Sequence, residues 1–98
     1  MADSQTKVEE PAYSFKNITD TTTASALVKN GAGFLKAVIV NNTAAGAVIV
    51  VDGTTGAGTK IATLKSSVVE NTYWYNANVA TGIYVRPAAV GDYTVIYR

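Results

Sequence analysis

The 98-residue chain contains no cysteine and no histidine. Without cysteine no disulfide can staple so small a domain, so stability has to come from burial and association, and the composition fits a reducing compartment. Without histidine the commonest general base and the commonest transition-metal ligand are both missing. Charge is sparse too: 15% of residues are charged, against roughly 25% in an average soluble domain. The eight basic residues stand singly and the net charge is +1, whereas nucleic-acid binders gather Lys and Arg into a patch or stripe. Long apolar runs are also missing. The longest, 44–51, is broken by Gly46, far short of the ~20 residues that span a bilayer. The opening MADSQTKVEEP has no apolar segment of signal-peptide length. The expectation is a chain made in the cytoplasm that does not enter a membrane by itself.

What the sequence does hold is Val, Ile, Thr and Tyr in short pieces punctuated by Gly, Asn and Asp, the composition of pleated, half-buried strands. Residues 1–11 form a separate polar arm ended by Pro11, either a loose tail or an arm that orders on a neighbouring subunit. Residues 12–98 form the domain. Strands are expected near 12–18, 23–29, 33–41, 46–52, 59–65, 71–79, 82–87 and 92–98, separated by turn signals such as Asn30-Gly31, Asp52-Gly53 and Thr81-Gly82. Eight short strands at this spacing predict an all-β, antiparallel β-sandwich, jelly-roll or immunoglobulin-like. In the third strand, alternation places Leu35, Ala37 and Ile39 on one face and Phe34, Lys36, Val38 and Val40 on the other. In the last, Tyr93, Val95 and Tyr97 oppose Thr94, Ile96 and Arg98. Ile61, Leu64 and Val68 are spaced like a helix face, but the β-branched neighbours and Ser66-Ser67 favour strand plus loop.

The stretch VDGTTGAGTKI, 51–61, imitates a phosphate-binding loop. Such a loop needs a helix after it and the order Lys-Ser/Thr, so that amides and helix dipole wrap the phosphates. Here Thr59 precedes Lys60 and the next segment reads as a strand. The stretch is read as a glycine-rich hairpin.

Other constellations are no stronger. Glu9-Glu10 is the only close acidic pair, and Asp20, Asp52 and Asp92 sit beside turn residues, where Asp bonds to backbone. No segment offers the closely spaced oxygens of a calcium loop. No catalytic residue, metal site or cofactor is therefore expected, and the chain is read as not an enzyme. Tyr73-Trp74-Tyr75 is the densest aromatic cluster. Alternation sets Trp74 opposite the two tyrosines, with Trp74 read as core and the tyrosines as surface or subunit contact. The alternative is an exposed platform of Tyr73, Trp74 and Tyr75 that stacks on sugars or bases. With Tyr84, Tyr93 and Tyr97 the tyrosines could form an interface belt. The weakly charged surface suits a subunit buried against copies of itself, and equally a monomer covered in Thr and Asn.

From Leu27 to Arg98 the chain resembles the small β-sandwich virion proteins of tailed bacteriophages. The resemblance is carried by Lys29 to Asn41 (KNGAGFLKAVIVN), Val48 to Ala62 with its D-G-T…G-T-K-I-A hairpin, Thr81 to Val85, and Asp92 to Arg98 (DYTVIYR). It implies a structural virion protein located on the capsid surface and synthesised in the host bacterial cytoplasm. In that reading it is a decoration or cement protein that binds the major capsid protein, as a homo-oligomer with a trimer favoured. No nucleic acid or membrane partner is implied. The alternative is a head-fibre or tail appendage module that recognises host glycans through Tyr73, Trp74 and Tyr75. The residues assigned to subunit or capsid contact are Tyr73, Tyr75, Tyr84, Tyr93 and Tyr97, with Val8 and Pro11 from the arm.

Overall fold

The computed structural model describes residues 12–98. Its elements run β1 (Ser14–Ile18), α1 (Thr23–Ala26), β2 (Leu27–Asn30), β3 (Gly33–Asn42), β4 (Val48–Asp52), β5 (Thr59–Leu64), β6 (Thr72–Val79), β7 (Gly82–Pro87) and β8 (Asp92–Tyr97). All strand pairs are antiparallel and form two four-stranded sheets, ordered β1-β8-β3-β6 and β2-β7-β4-β5. The first strand pairs with the last, the second with the seventh, the third with the sixth and the fourth with the fifth. This nesting is a long hairpin rolled over itself, the order of a jelly roll. It resolves the choice between jelly-roll and immunoglobulin-like topology.

The core lies between the sheets and is built from alternate residues of nearly every strand. Ile18, Leu35, Val38, Val40, Tyr93 and Val95 from the first sheet face Val48, Val50, Leu64, Ile83 and Val85 from the second. Branched side chains dominate because they fill a pleated face while losing little rotamer freedom. Each such side chain contributes roughly 1.5–3 kcal/mol when fully buried.

Two expectations need correction. The segment 23–29 is not one strand. Asp20 and Thr22 initiate a single helical turn first: Thr22 Oγ1 accepts from the Ser25 amide (3.2 Å), and Asp20 accepts from the Thr22 amide (3.1 Å) and the Ser25 hydroxyl (3.0 Å). These short polar side chains offer the backbone a cap that outcompetes strand pairing. The turn lays Ala26 over Val51 and Tyr84 on the outside of the second sheet.

The second correction concerns β3, where strict alternation fails. Leu35 pairs with Tyr97 but Ala37 with Ile96, so Lys36 is an extra residue against β8. The bulge turns Lys36 and Ala37 to the same outer face and lets Leu35 share the core with Val38 and Val40. A second irregularity faces it across the β3–β6 ladder, where Leu35 pairs with Ala77 and Ala37 with Trp74. Asn76 takes up the surplus with a left-handed φ of 49°, a conformation that Asn tolerates better than most residues.

Candidate interaction surface

The bulge decides what the outside of the first sheet displays. One rung crosses all four strands: Phe15 pairs with Ile96, Ile96 with Ala37, and Ala37 with Trp74. Phe15 is 74% exposed and Trp74 64% exposed at opposite edges of the sheet. Three strand spacings separate them, about 14 Å. Two cations lie among the aromatics. The Lys36 ammonium stands 5.4 Å from the Tyr13 ring and 5.8 Å from that of Trp74, while the Arg98 guanidinium is 4.7 Å from Tyr13 and 4.6 Å from Phe34. Such contacts are attractive because the ring face carries negative charge, and they fix long side chains over apolar surface.

A polar row adjoins this rung. Asn17 Nδ2 donates to Asp92 Oδ1 (2.6 Å) and Thr94 Oγ1 (3.2 Å), and Asn41 Nδ2 donates to the same two oxygens (3.2 and 3.0 Å). The outer face therefore has an aromatic, cationic half and an amide-rich half.

The outside of the second sheet is different. Thr23, Leu27, Ile49, Thr55, Tyr84 and Arg86 line part of an open groove of about 560 Å³ between α1 and the glycine-rich loop. Arg86 Nε donates to the Thr21 carbonyl (3.1 Å). The loop itself is the expected hairpin: β5 follows it, not a helix. Gly53 and Gly58 in it serve close approach. A Cβ on Gly58 would lie 2.5 Å from the Asp52 carbonyl oxygen and 2.8 Å from a Val51 methyl, and the left-handed φ among the described glycines belongs to Gly31. Asp52 holds a distant turn in place, accepting from the amides of Ala80 (3.0 Å), Thr81 (2.9 Å) and Gly82 (3.3 Å). The Ala80 bond first, then that of Thr81, keeps its carboxyl below the ordinary value of 3.8. Among the described residues no three His, Cys, Asp or Glu side chains gather as a metal site would require.

The aromatic assignments divide. Trp74, expected in the core, is exposed, and Tyr73 and Tyr75 pack inward against the core instead. Alternation correctly separates them but carries no information about which side is inside. The Tyr73 hydroxyl donates to the Val69 carbonyl (2.6 Å), and burial, with Tyr73 beside it, pushes the Tyr75 hydroxyl above its ordinary 10.0. A three-residue platform of Tyr73, Trp74 and Tyr75 is therefore not formed. Tyr93 is 0% exposed and Tyr84 3% exposed. Tyr93 belongs to the core between the sheets, whereas Tyr84 packs with Ala26 and Val51 and lines the groove of the second sheet. Tyr97 is half-buried against the core. Tyrosines on both sheets thus face different layers and make no belt. Val8 and Pro11 lie outside the described residues. Tyr13, Phe15, Phe34, Lys36 and Arg98 were not singled out from sequence, because their proximity depends on the β1–β8–β3 register and on the bulge at Lys36.

Fold and surface together define a small jelly-roll sandwich with an open aromatic and cationic sheet face. Comparison with protein-family models, curated proteins and solved structures finds no match to this chain.

Proposed function

We propose that the chain is a non-enzymatic virion protein, a decoration or cement subunit of a tailed-bacteriophage head, that docks on the major capsid protein through the outer face of β1-β8-β3-β6. The observation that carries this reading is the rung Phe15–Ile96–Ala37–Trp74, with two large apolar side chains open to water at its ends. Exposed aromatics flanked by cations are what a docking surface needs: large rigid area, little rotamer entropy to lose, and a charged margin that sets orientation. The virion resemblance along 27–98 supplies the partner. Copies arranged as a trimer would present three such faces to adjacent capsomers. A subunit that binds the assembled lattice better than free capsid protein shifts the balance toward the assembled state.

Purified protein added to undecorated heads should co-sediment with them and raise their disruption temperature. The Phe15→Ala/Trp74→Ala double variant should lose both effects with unchanged far-ultraviolet circular dichroism. Failure of the parent chain to co-sediment overturns the proposal.

A second reading rests on the amide row of the same outer face. Asn17, Asn41, Thr94 and Asp92, on the sheet face that also exposes the Trp74 indole, would suit a host glycan, as in a head-fibre or tail appendage. Glycan-array binding that vanishes in Trp74→Ala would favour it over decoration.

A further inference from the structure

The groove on the second sheet continues past Arg86. A second hollow of about 410 Å³, lined by Thr21, Ala47, Pro87 and Ala88, shares Ile49 and Arg86 with the first. Ile49 of β4 pairs with Arg86 of β7, so the two side chains stand next to each other where the hollows meet. Each hollow falls within the roughly 300–1,000 Å³ of small-molecule sites. The surface offered to a ligand is largely apolar, with Leu27, Ile49 and Tyr84 in the larger hollow. Tyr84 is 3% exposed, too covered to be the open ring face on which a sugar stacks.

Arg86 is the one charged residue lining either hollow. Asp20, the acidic residue that precedes the Thr21 wall, is turned to the α1 cap, where it accepts from Thr22 and Ser25. The Arg86 Nε bond to the Thr21 carbonyl steadies the guanidinium, and among the described residues its Nη groups have no hydrogen-bond partner. A fork held in this way loses little freedom when its terminal nitrogens grip a carboxylate through two parallel bonds.

We propose that this groove binds a small amphipathic carboxylate. Its apolar body lies on Leu27, Ile49 and Tyr84, and its carboxylate accepts from the Arg86 Nη groups. The site is on the sheet that the docking reading leaves unused, so either can fail without the other. The glycine-rich loop supplies a way to close it. A Cβ on Gly56 would lie 3.7 Å from both Ile49 Cδ1 and Tyr84 Cε1, an ordinary contact, and the Gly56 φ is not left-handed. Gly56→Leu would therefore set a side chain over the apolar floor without straining the backbone.

The test is a titration of the full chain with octanoate near neutral pH, followed by nuclear magnetic resonance of the Ile49 methyl and the Arg86 Nε–H. Octanol, which has the body without the charge, and acetate, which has the charge without the body, are the controls. Octanoate should shift both signals and saturate below about 10 mM, and Arg86→Gln should weaken it roughly tenfold or more. Gly56→Leu should abolish the shifts with circular dichroism unchanged; if it fails to fold, the exposed Arg86 variant carries the test. Absence of saturable shifts at these two residues overturns the proposal. Octanol or acetate binding as tightly as octanoate overturns it also, as does parent-like affinity in Arg86→Gln or in folded Gly56→Leu.

Discussion

Tyr93 is fully buried, and its hydroxyl would cost free energy there if left unpaired. It is paired: the Ala44 amide donates to the Tyr93 Oη at 3.0 Å. Tyr93→Phe keeps the ring and strands the buried amide. It should therefore destabilise the protein by about 1–3 kcal/mol in urea denaturation, more than a surface hydroxyl would. Leu35 and Trp74 make the opposite contrast. Leu35 is fully buried, and Leu35→Ala should cost about 2–5 kcal/mol through lost transfer energy and a cavity. Trp74→Ala removes a larger side chain, yet its exposure limits the expected loss to about 0.5–1 kcal/mol. A denaturation midpoint that moves more for Trp74→Ala than for Leu35→Ala would show that the indole is core after all.

At the scale of elements, the bulges matter most. β6 is an edge strand of the first sheet, and an unblunted edge is a template for pairing with other chains. The irregularity opposite Leu35–Ala37 and the left-handed Asn76 break its regular hydrogen-bonding row. Asn76→Gly should leave stability within about 0.5 kcal/mol of the parent. Asn76→Val should cost about 1–2 kcal/mol, since a β-branched residue resists that backbone region. Thermal denaturation of the two variants checks the pair. If they melt alike, the left-handed conformation is not needed for the register. The single turn α1 has a comparable role on the other sheet. Its Asp20–Thr22 cap turns what composition reads as strand into a lid on Val51 and Tyr84.

Across the whole molecule, stability should depend on acid through two carboxylates. Hydrogen bonds hold both Asp20 and Asp52 below the ordinary 3.8, with the Ser25 hydroxyl first for Asp20 and the Ala80 amide first for Asp52. Their folded values lie below the unfolded value of about 3.9, so the unfolded chain takes up protons first as pH falls. Their contribution is complete above the unfolded value and is lost as pH drops through the folded ones. Melting temperature should be flat between about pH 7 and 5 on this account and fall below about pH 4. Asp52→Asn should show a smaller fall than the parent, from a lower starting point. An unchanged acid limb in Asp52→Asn would mean that the turn at 80–82 does not depend on this carboxylate.

The sequence by itself determined the fold class, the positions of seven strands to within a few residues, and the status of 51–61 as a hairpin. These are local matters: strand propensity, turn residues and a period of two are written in neighbouring residues. Tertiary structure alone decided the jelly-roll order, the inward tyrosines and the outward Trp74. Alternation sorts a strand's residues into two faces with no sign attached, and the sign comes from the sheet packed opposite. It likewise decided the cluster of Tyr13, Phe15, Phe34, Lys36, Trp74 and Arg98. Those residues come from four strands and their flanks, and they meet only because one added residue at Lys36 rotates β3 within its ladder. A bulge is set by competition between two registers, and a single strand read alone contains only one side of that competition.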